Sequence, residues 1–346
     1  MRKSRTFYQY LILLAMMVTL ISTMTRAQER TDAKLAQTGM KFLSVGLNAR
    51  QAALADAFTA AEGNSVSMFY NPAGMARLDG SADMSLGAAN WIADIKHYSL
   101  SVAMKAGDIG VFGLSFQYAD YGKIEATILA NNTQGFLDVG VIKPNAYAVG
   151  LGYARALTDK FSVGGNVKLV RQDLGAGVTQ ASYVGTAGSY TDATITASNK
   201  NAVDVIAFDF GLLYKTGYKS LTLGMAVRNF AREVKYQKEG FQLPLAFRLG
   251  ASMNVFDLTG FDPEKQSLLV TVDAEHPRDY PEQMKVGLEY VFMNVVSARV
   301  GYVGPADEHS LSYGLGIQYQ HFAVDYAYTP FGIFNQVSRF SVRMWF

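Results

Sequence analysis

The chain has 346 residues, of which 49% are hydrophobic and 12% aromatic, and its formal net charge is +2. This small net charge and the lack of a basic run argue against a polyanionic partner such as nucleic acid. Cysteine is absent, which excludes a lipoprotein anchor, disulfides and thiol catalysis.

Residues 1–27 have the pattern of a secretory signal peptide. A basic start, Arg2 to Arg5, precedes the apolar stretch 11–21, which is too short for a stable membrane span. Thr25-Arg26-Ala27 is a weak small-x-small cleavage motif, so the mature chain is predicted to begin at Gln28. The pattern predicts export through the Sec route, with an uncleaved anchor as the alternative.

Residues 28–80 do not alternate and are predicted to form an N-terminal hatch, or plug, inside or across the periplasmic mouth of the following domain. The Ala-rich stretch 50–58 favours a short helix. Pro72 restricts Asn71 to an extended or turn conformation and suits the first position of another short helix. Asn71-Pro72-Ala73-Gly74 is therefore the candidate hatch motif. Asn71 is predicted to fix a turn, and a ligand contact is the alternative.

From Ser81 to Phe346 the polarity alternates with a period of two, which predicts fourteen antiparallel strands. They lie near 81–90, 97–106, 109–120, 145–157, 161–172, 203–215, 218–230, 242–256, 266–276, 281–292, 295–303, 308–320, 321–329 and 336–346. One face is apolar, as in Phe112, Leu114 and Phe116, and the other is small or polar and carries most of the strand charges. A soluble sandwich would bury the apolar face, whereas a membrane barrel turns it to lipid, and the period alone does not decide between them.

The last strand favours the barrel. Phe340, Val342, Met344 and Phe346 are apolar and alternate with polar residues, and Trp345 stands where an aromatic girdle would lie. A terminal aromatic residue on such a strand, in an exported chain, indicates a β-barrel of the bacterial outer membrane. These four residues are the predicted signal for the barrel-insertion machinery, and outer-membrane lipid is the predicted surrounding.

Connection lengths support the same fold class. Links after even-numbered strands are mostly short, as at Gly107-Asp108 and Thr216-Gly217, whereas the long links 121–144, 173–202 and 231–241 follow odd-numbered strands. Outer-membrane barrels have short periplasmic turns and longer extracellular loops. The sequence therefore predicts an all-β fold, a fourteen-stranded antiparallel transmembrane β-barrel over residues 81–346 with a small N-terminal hatch.

The N-terminal segment also carries a resemblance to a known family. A hatch with Asn71-Pro72-Ala73 ahead of fourteen strands resembles the FadL-like barrels. The fuller block, residues 42–58 with 67–76, is similar to that of the PorV/PorQ family of the Bacteroidetes, although Asn48 and Ala55 replace expected small or glycine residues. The resemblance implies a non-enzymatic role in type IX protein secretion. PorV-like members of that family shuttle exported cargo from the translocon to the surface attachment complex, and PorQ-like members are associated with the same machinery.

The sequence shows no motif for catalysis or for a cofactor. None of the four histidines pairs at metal-ligand spacing, and neither a Gly-x-Ser-x-Gly elbow nor a phosphate-binding loop occurs. The pairs Gly150/Gly152 and Gly314/Gly316 are interpreted as small lumen-facing positions rather than nucleotide loops. No enzyme activity, cofactor or metal is therefore predicted.

Two functions from different classes stay open. In the favoured one, extracellular loops bind the type IX translocon, the attachment complex or cargo, and loop 173–202 is either an adaptable binding loop or an ordinary disordered one. In the alternative, a FadL-like channel takes up hydrophobic molecules such as long-chain fatty acids. Inward charges of both signs would line an acyl path poorly, so they are interpreted as bonding the hatch and each other.

Overall fold

In a computed structural model of the chain, the described residues are 37–186, 189–236, 239–259, 265–306, 309–334 and 336–346. The predicted signal peptide and the start of the predicted hatch lie outside them. The described residues form a closed antiparallel barrel of fourteen strands, in which the first strand pairs with the last. This confirms the predicted fold class. Lipid offers no water to unpaired backbone groups, so a membrane sheet must close in this way.

The barrel strands, numbered in chain order, agree closely with the predicted ones, except that two are much longer. They are β1 Ala82–Asn90, β2 Lys96–Lys105, β3 Val111–Asp120, β4 Asn145–Ala156, β5 Phe161–Thr186, β6 Ser189–Lys215, β7 Thr222–Ala231, β8 Ala246–Asn254, β9 Gln266–Pro277, β10 Gln283–Phe292, β11 Val296–Gly304, β12 Leu311–Tyr319, β13 Phe322–Pro330 and β14 Gln336–Trp345. The end at which β1 begins and β14 ends is termed the lower rim, and the opposite end the upper rim.

The alternation has the polarity of a membrane barrel. Large apolar side chains such as Leu151 and Leu315 are exposed on the outer surface, whereas inward residues such as Asp209 and Arg248 are buried. A soluble protein would place these two sets the other way round. Adjacent tyrosines on three strands, Tyr98, Tyr118 and Tyr147, form one row towards the upper rim, as in the aromatic girdles of outer-membrane barrels.

The long predicted links contain strands of their own, which corrects their interpretation as loops. Residues 173–202 continue β5 and β6 as a two-stranded ribbon that pairs as far as Thr186 and Ser189, with several register shifts. Within 121–144, Ile124–Leu129 pairs with Phe136–Ile142, and within 231–241, Val234–Lys235 pairs with Gly240–Phe241. The lipid-driven alternation that marks a wall strand ends at the membrane surface, so these segments carry no comparable pattern.

Among the described residues, helical structure is confined to short pieces. The α-helix α1 spans Ala49–Ala53, and 3-10 helices span Lys41–Ser44, Ser65–Phe69 and Pro72–Arg77 in the N-terminal part, with others at Ile92–Asp94, Gly107–Ile109, Val255–Leu258 and Gly332–Phe334. The Ala-rich stretch and Pro72 thus both begin or contain short helices as predicted. No helix among the described residues is both long enough and apolar enough to cross a membrane.

Candidate functional site: the filled lumen and the projecting arm

Residues 38–80, termed the lumen segment, run through the barrel from the upper rim to the lower rim. At the upper rim, the Gly39 amide donates to the Gln242 carbonyl at 3.0 Å. At the lower rim, the chain leaves the lumen beside the barrel seam, where the Ser81 amide donates to the Phe346 carbonyl at 2.5 Å. The segment therefore occupies the length of the lumen rather than only the lower mouth.

The upper half of the lumen holds an apolar cluster. Met40, Phe42 and Leu43 pack on inward side chains of β3 to β6, which are Ala119, Ala146, Ala148, Val170, Val205 and Ala207. Small residues on the wall leave room for the large residues of the lumen segment, so the contact is close-packed. Val234 and Phe241, from the short strand pair formed by Val234–Lys235 and Gly240–Phe241, are in contact with this cluster. This strand pair, within a link predicted as an outward loop, is thus part of the closure of the mouth.

In the lower and middle lumen, wall charges bond the lumen segment and one another. The Arg50 guanidinium donates to both carboxylate oxygens of Glu289, at 2.7 and 2.8 Å. Glu289 also pairs with Arg299, which in turn donates to Asp325 at 2.7 Å. The Glu289 carboxylate compensates the buried charge of Arg50. These charges are satisfied by protein groups, which agrees with the interpretation favoured from sequence.

The candidate hatch motif anchors the lumen segment to the wall. The fully buried Asn71 side chain accepts from the Ala73 amide at 3.1 Å and so caps the helix that Pro72 begins. Its amide group donates to the carbonyl of Thr59 at 2.7 Å and to that of Leu212, on β6, at 2.9 Å. One side chain therefore ties two turns of the lumen segment to a wall strand. The motif's Gly74 makes room in the same turn, where a Cβ would lie 2.5 Å from the Ser67 hydroxyl.

Glycines of the inner wall face the lumen segment at close range. A Cβ on Gly164 would lie 2.5 Å from the backbone of Pro72 and Ala73, and one on Gly211 would overlap the Asn71 side chain. The same holds elsewhere in the wall, as at Gly152 against Met68, and at Gly113, Gly224, Gly250, Gly287, Gly301 and Gly314. Gly152 and Gly314 were predicted from the sequence to face the lumen, whereas most of the other glycines were not singled out. Their place on the inward face of the alternating strands was the feature of the sequence that could have identified them.

The predicted insertion residues lie at the seam of the barrel. Phe340 and Phe346 are exposed on the outer surface, Val342 and Met344 are half-buried on the same face, and the Phe346 amide donates to Ala82 on β1 at 2.9 Å. Trp345 does not lie in an outer aromatic girdle as expected. It alternates with Phe346 and Met344 along β14, so its side chain faces the lumen like that of Arg343. Its ring lies 4.8 Å from the Arg343 guanidinium and lines a polar cavity of about 340 Å³ at the lower rim.

Above the upper rim, the ribbon 173–202 and the hairpin 124–142 form a projecting unit, termed the arm. The Tyr183 hydroxyl donates to the Leu129 carbonyl at 2.8 Å, and the Asn132 side chain donates to the Tyr190 carbonyl at 3.2 Å. At about 3.3 Å per residue, the ribbon reaches roughly 40 Å beyond the wall. Large apolar side chains are exposed on the arm, namely Ile124, Leu129, Phe136, Val141, Leu174, Tyr183 and Val184.

Below the arm, a charged pair lies at the upper edge of the lipid-facing surface of the wall. Arg171 on β5 and Asp204 on β6 form an exposed pair at 3.0 Å, in line with the tyrosine row of the neighbouring strands. Leu169 and Ile206, just below the pair, are exposed apolar residues of the outer surface. The apolar side chains of the arm therefore lie beyond the lipid-facing band of the wall. Contact with lipid does not explain why these exposed positions are apolar.

Nothing in the described part of the chain has the form of a metal centre, since no cluster of three or more His, Asp or Glu side chains could hold an ion there. The arrangement instead offers two features, a lumen filled by the chain's own segment and an exposed arm with an apolar surface.

Residues 27–272 match the model of the family described as Type IX secretion system protein PorV. No curated protein matches the chain. Among solved structures, the chain is similar to the toluene transporter TbuX of Ralstonia pickettii, with a TM-score of 0.56 and 14% identity over 87% of this chain and 98% of that one.

Two further structures show the same fold. The monoaromatic hydrocarbon channel CymD gives a TM-score of 0.55 at 13% identity, covering 87% of this chain and 98% of its own. The toluene transporter TodX of Pseudomonas putida gives 0.52 at 14% identity, covering 82% and 93%. At such low identity the likeness shows a shared FadL-like barrel architecture and not a shared substrate.

Proposed function

Because the chain belongs to the PorV family of type IX secretion system proteins, we propose that it is a non-enzymatic outer-membrane component of type IX protein secretion. It engages cargo or other secretion components through the arm, which projects on the extracellular side. Residues 1–27 direct Sec export, residues 28–80 serve as the hatch, and the terminal strand from Phe340 to Phe346 directs barrel insertion.

The observation that supports this proposal best is the exposed apolar surface of the arm. Leu129 is 86% exposed and stands with Phe136 on a hairpin that the ribbon supports. Contiguous apolar surface outside the membrane is uncommon unless it binds a partner. Two strand pairs that brace each other hold that surface away from the barrel, as binding to a large protein partner requires.

A FadL-like uptake channel is the alternative, which the fold alone supports. The lumen segment runs through the barrel from rim to rim and is bonded to the wall by Arg50, Asn71 and other residues. Charges of both signs face the same space, which suits polar packing and is unfavourable for an acyl chain. Protein interaction therefore ranks above uptake of hydrophobic molecules.

Affinity purification from the native outer membrane, followed by mass spectrometry, tests the proposal. The variant Leu129→Ser/Phe136→Ser removes apolar surface from the arm. The matched control, Ile333→Ser/Phe334→Ser, removes equally exposed apolar surface from the β13–β14 connection. We expect translocon, attachment-complex or cargo proteins with the wild type and the control, and their loss with the arm variant. Equal recovery with all three proteins would contradict the role of the arm.

Growth of a deletion strain on long-chain fatty acids tests the alternative. We expect normal growth there and defective secretion, because uptake is not the function. Loss of growth with intact secretion would reverse the ranking.

An epitope placed in the arm should be accessible to antibody on intact cells, which tests the extracellular orientation.

A further inference from the structure

The arm contains an open sheet edge. In the hairpin 124–142, the strand Ile124–Leu129 pairs on one side with Phe136–Ile142, and no third strand joins this sheet among the described residues. The strand Phe136–Ile142 contacts both strands of the ribbon, and its Leu137 side chain is buried there. The strand on the side away from the ribbon is therefore Ile124–Leu129, which is termed the edge strand.

Backbone groups of the edge strand point alternately to the partner strand and to the open side. The Ala130 amide donates to the Gly135 carbonyl at 3.1 Å. Because hydrogen-bonded and non-hydrogen-bonded pairs alternate in an antiparallel ladder, the N–H and C=O groups of Leu129 and Thr127 face away from the partner strand. The Leu129 carbonyl accepts from the Tyr183 hydroxyl at 2.8 Å, which agrees with this direction. No strand of the described chain lies there to bond the other three groups.

The edge strand lacks the features with which proteins usually protect such edges, which are Lys, Pro, bulges and short length. It is six residues long and contains neither Lys nor Pro. The one register shift of the hairpin places the extra residue, Val139, on the partner strand. By contrast, several register shifts interrupt the ribbon, and Val234–Lys235 has only two residues. Of these strands beyond the wall, the edge strand is the best suited to pair with another chain.

The outer face of the edge strand indicates which side chains an added strand would carry. Glu125, Thr127 and Leu129 are exposed on this face, and Leu129 lies opposite Phe136, so the apolar surface of the arm reaches the open edge. Every second side chain of an added strand lies on the same face. An apolar residue would pack beside Leu129, and a basic residue four positions away would face the Glu125 carboxylate.

We propose that the arm binds an extended segment of a secretion partner as an added strand on the edge strand. The segment exchanges main-chain hydrogen bonds with Thr127 and Leu129, and its alternate side chains contact Leu129 and Glu125. This inference rests on the proposed function and specifies how the arm binds. Because main-chain bonds do not depend on side-chain identity, one arm can bind segments of different sequence.

Affinity purification with a matched pair of variants tests the inference. Thr127→Pro removes the outward amide, and an edge position tolerates proline because that amide makes no bond within the sheet. Thr127→Ala keeps the amide and is the control. We expect secretion proteins with the wild type and the control, and their loss with Thr127→Pro.

The outcomes separate this inference from the proposed function. Equal recovery with Thr127→Pro would overturn the added strand and leave the secretion role in place. If the wild type itself recovered no secretion protein, the proposed function and the added strand would both fail. Recovery of only a second, differently tagged copy of this chain would overturn the assignment of the edge to a secretion partner.

Hydrogen exchange of the wild type, resolved to single amides, gives a test that needs no variant. The Thr127 and Leu129 amides should exchange fast in the protein alone and slowly in the complex purified from the outer membrane. The Ile128 amide, which faces the partner strand, should be slow in both, and slow exchange there in Thr127→Pro verifies the hairpin. Fast exchange of Thr127 and Leu129 in the complex would overturn the inference.

Discussion

At the scale of single residues, the inner wall is shaped by positions that carry no side chain. Gly164 and Gly211 allow the backbone around Asn71 and Pro72 to lie directly on β5 and β6. Asn71 then converts this proximity into hydrogen bonds with Thr59 and with the wall. The close packing of the Asn71 turn on the wall and the hydrogen bonds of Asn71 depend on each other. A side chain on Gly164 or Gly211 would move the turn away from the wall, and the bond from Asn71 to Leu212 would then be lost.

Substitution at Gly164 should therefore destabilise the protein. Gly164→Ala places a methyl group against the backbone of Pro72 and Ala73, and we expect a loss of about 1–3 kcal/mol, as for overpacked cores. The adjacent Gly165→Ala is the matched control, since its Cβ would lie 3.7 Å from the nearest atom. Thermal unfolding in detergent, followed by circular dichroism, measures both. Equal effects at the two positions would rule out the close contact as the cause.

Phe346 should matter more for recognition by the barrel-insertion machinery than for the burial of apolar surface in lipid. Phe346→Asp removes the aromatic end of the last strand, and we expect less protein inserted in the outer membrane. Tyr319→Asp is the control, because Tyr319 is equally exposed, at 68% against 67%, near the lower rim but not at the chain end. Immunoblots of outer-membrane fractions give the comparison. If both variants insert equally, recognition of the terminal residue is not the determining step.

At the scale of elements, the arm depends on two strand pairs that support each other. The hairpin 124–142 contacts the ribbon through Tyr183, Asn132 and the packing of Ile142 on Gly175. An isolated two-stranded hairpin is only marginally stable in water. The contacts between the two pairs are therefore what keeps the apolar surface of the arm in place.

Loss of the Tyr183 side chain should loosen the hairpin without affecting the barrel. Tyr183→Ala removes the bond to Leu129 and the ring contact with Tyr190, whose centroid lies 5.0 Å away. Val184→Ala is the control at a neighbouring exposed position. We expect faster hydrogen exchange over 124–142 in the first variant only. Unchanged exchange would mean that other contacts hold the hairpin.

A second element, the aromatic group at the upper rim, should respond to acid. The His309 ring stacks on Phe331 at 4.2 Å, and Phe331 lies 5.0 Å from Trp91. Burial and the Arg339 charge lower the pKa of His309 from 6.5 to about 4. Because the folded state disfavours the charged ring, its contribution to stability is complete above pH 6.5 and is lost as the pH falls towards 4.

Because His309 of the folded protein gains its proton around pH 4, we expect the fluorescence of Trp91 to change with a midpoint near that pH. The measurement uses a Trp345→Phe background so that one tryptophan remains. His309→Phe should keep the stacked ring and abolish the change. A transition that survives this substitution would identify another group, such as His97, which lies 6.1 Å from Trp91.

At the scale of the whole molecule, barrel and lumen segment form one packed unit. Apolar packing closes the upper half, ion pairs such as Arg50–Glu289 hold the middle, and Asn71 fixes the lower part. These contacts are distributed along the segment, so no single hinge would release it. The barrel thus serves as a rigid base for the arm.

Purified protein in planar lipid bilayers should accordingly show no stable ion conductance. The lumen segment would have to leave its contacts with many strands at once before a continuous path opened. Single-channel recording measures this, with bilayer insertion verified by protease access to the arm. Reproducible open-channel currents from inserted wild-type protein would contradict the closed lumen.

The sequence by itself determined the features that repeat locally. Alternation at Phe340, Val342 and Met344 and across thirteen other strands gave the strand number. The aromatic last strand of an exported chain and the alternation of short and long links then favoured a closed barrel with its apolar face in lipid, and the structure is such a barrel. The strand number could be predicted because lipid on one face and a polar lumen on the other impose a period of two on each strand separately. The turn role predicted for Asn71 also rests on a local effect, that of Pro72.

Only the tertiary structure decided how distant parts of the chain meet. The bond from Asn71 to Leu212, the pair of Arg50 with Glu289 and the pairing of the ribbon up to Thr186 join residues far apart in sequence or outside the membrane pattern. Such contacts leave no local period, because each is set by the shape of the space that other strands enclose. For the same reason, the path of the lumen segment and the build of the arm could not be inferred before the fold was known.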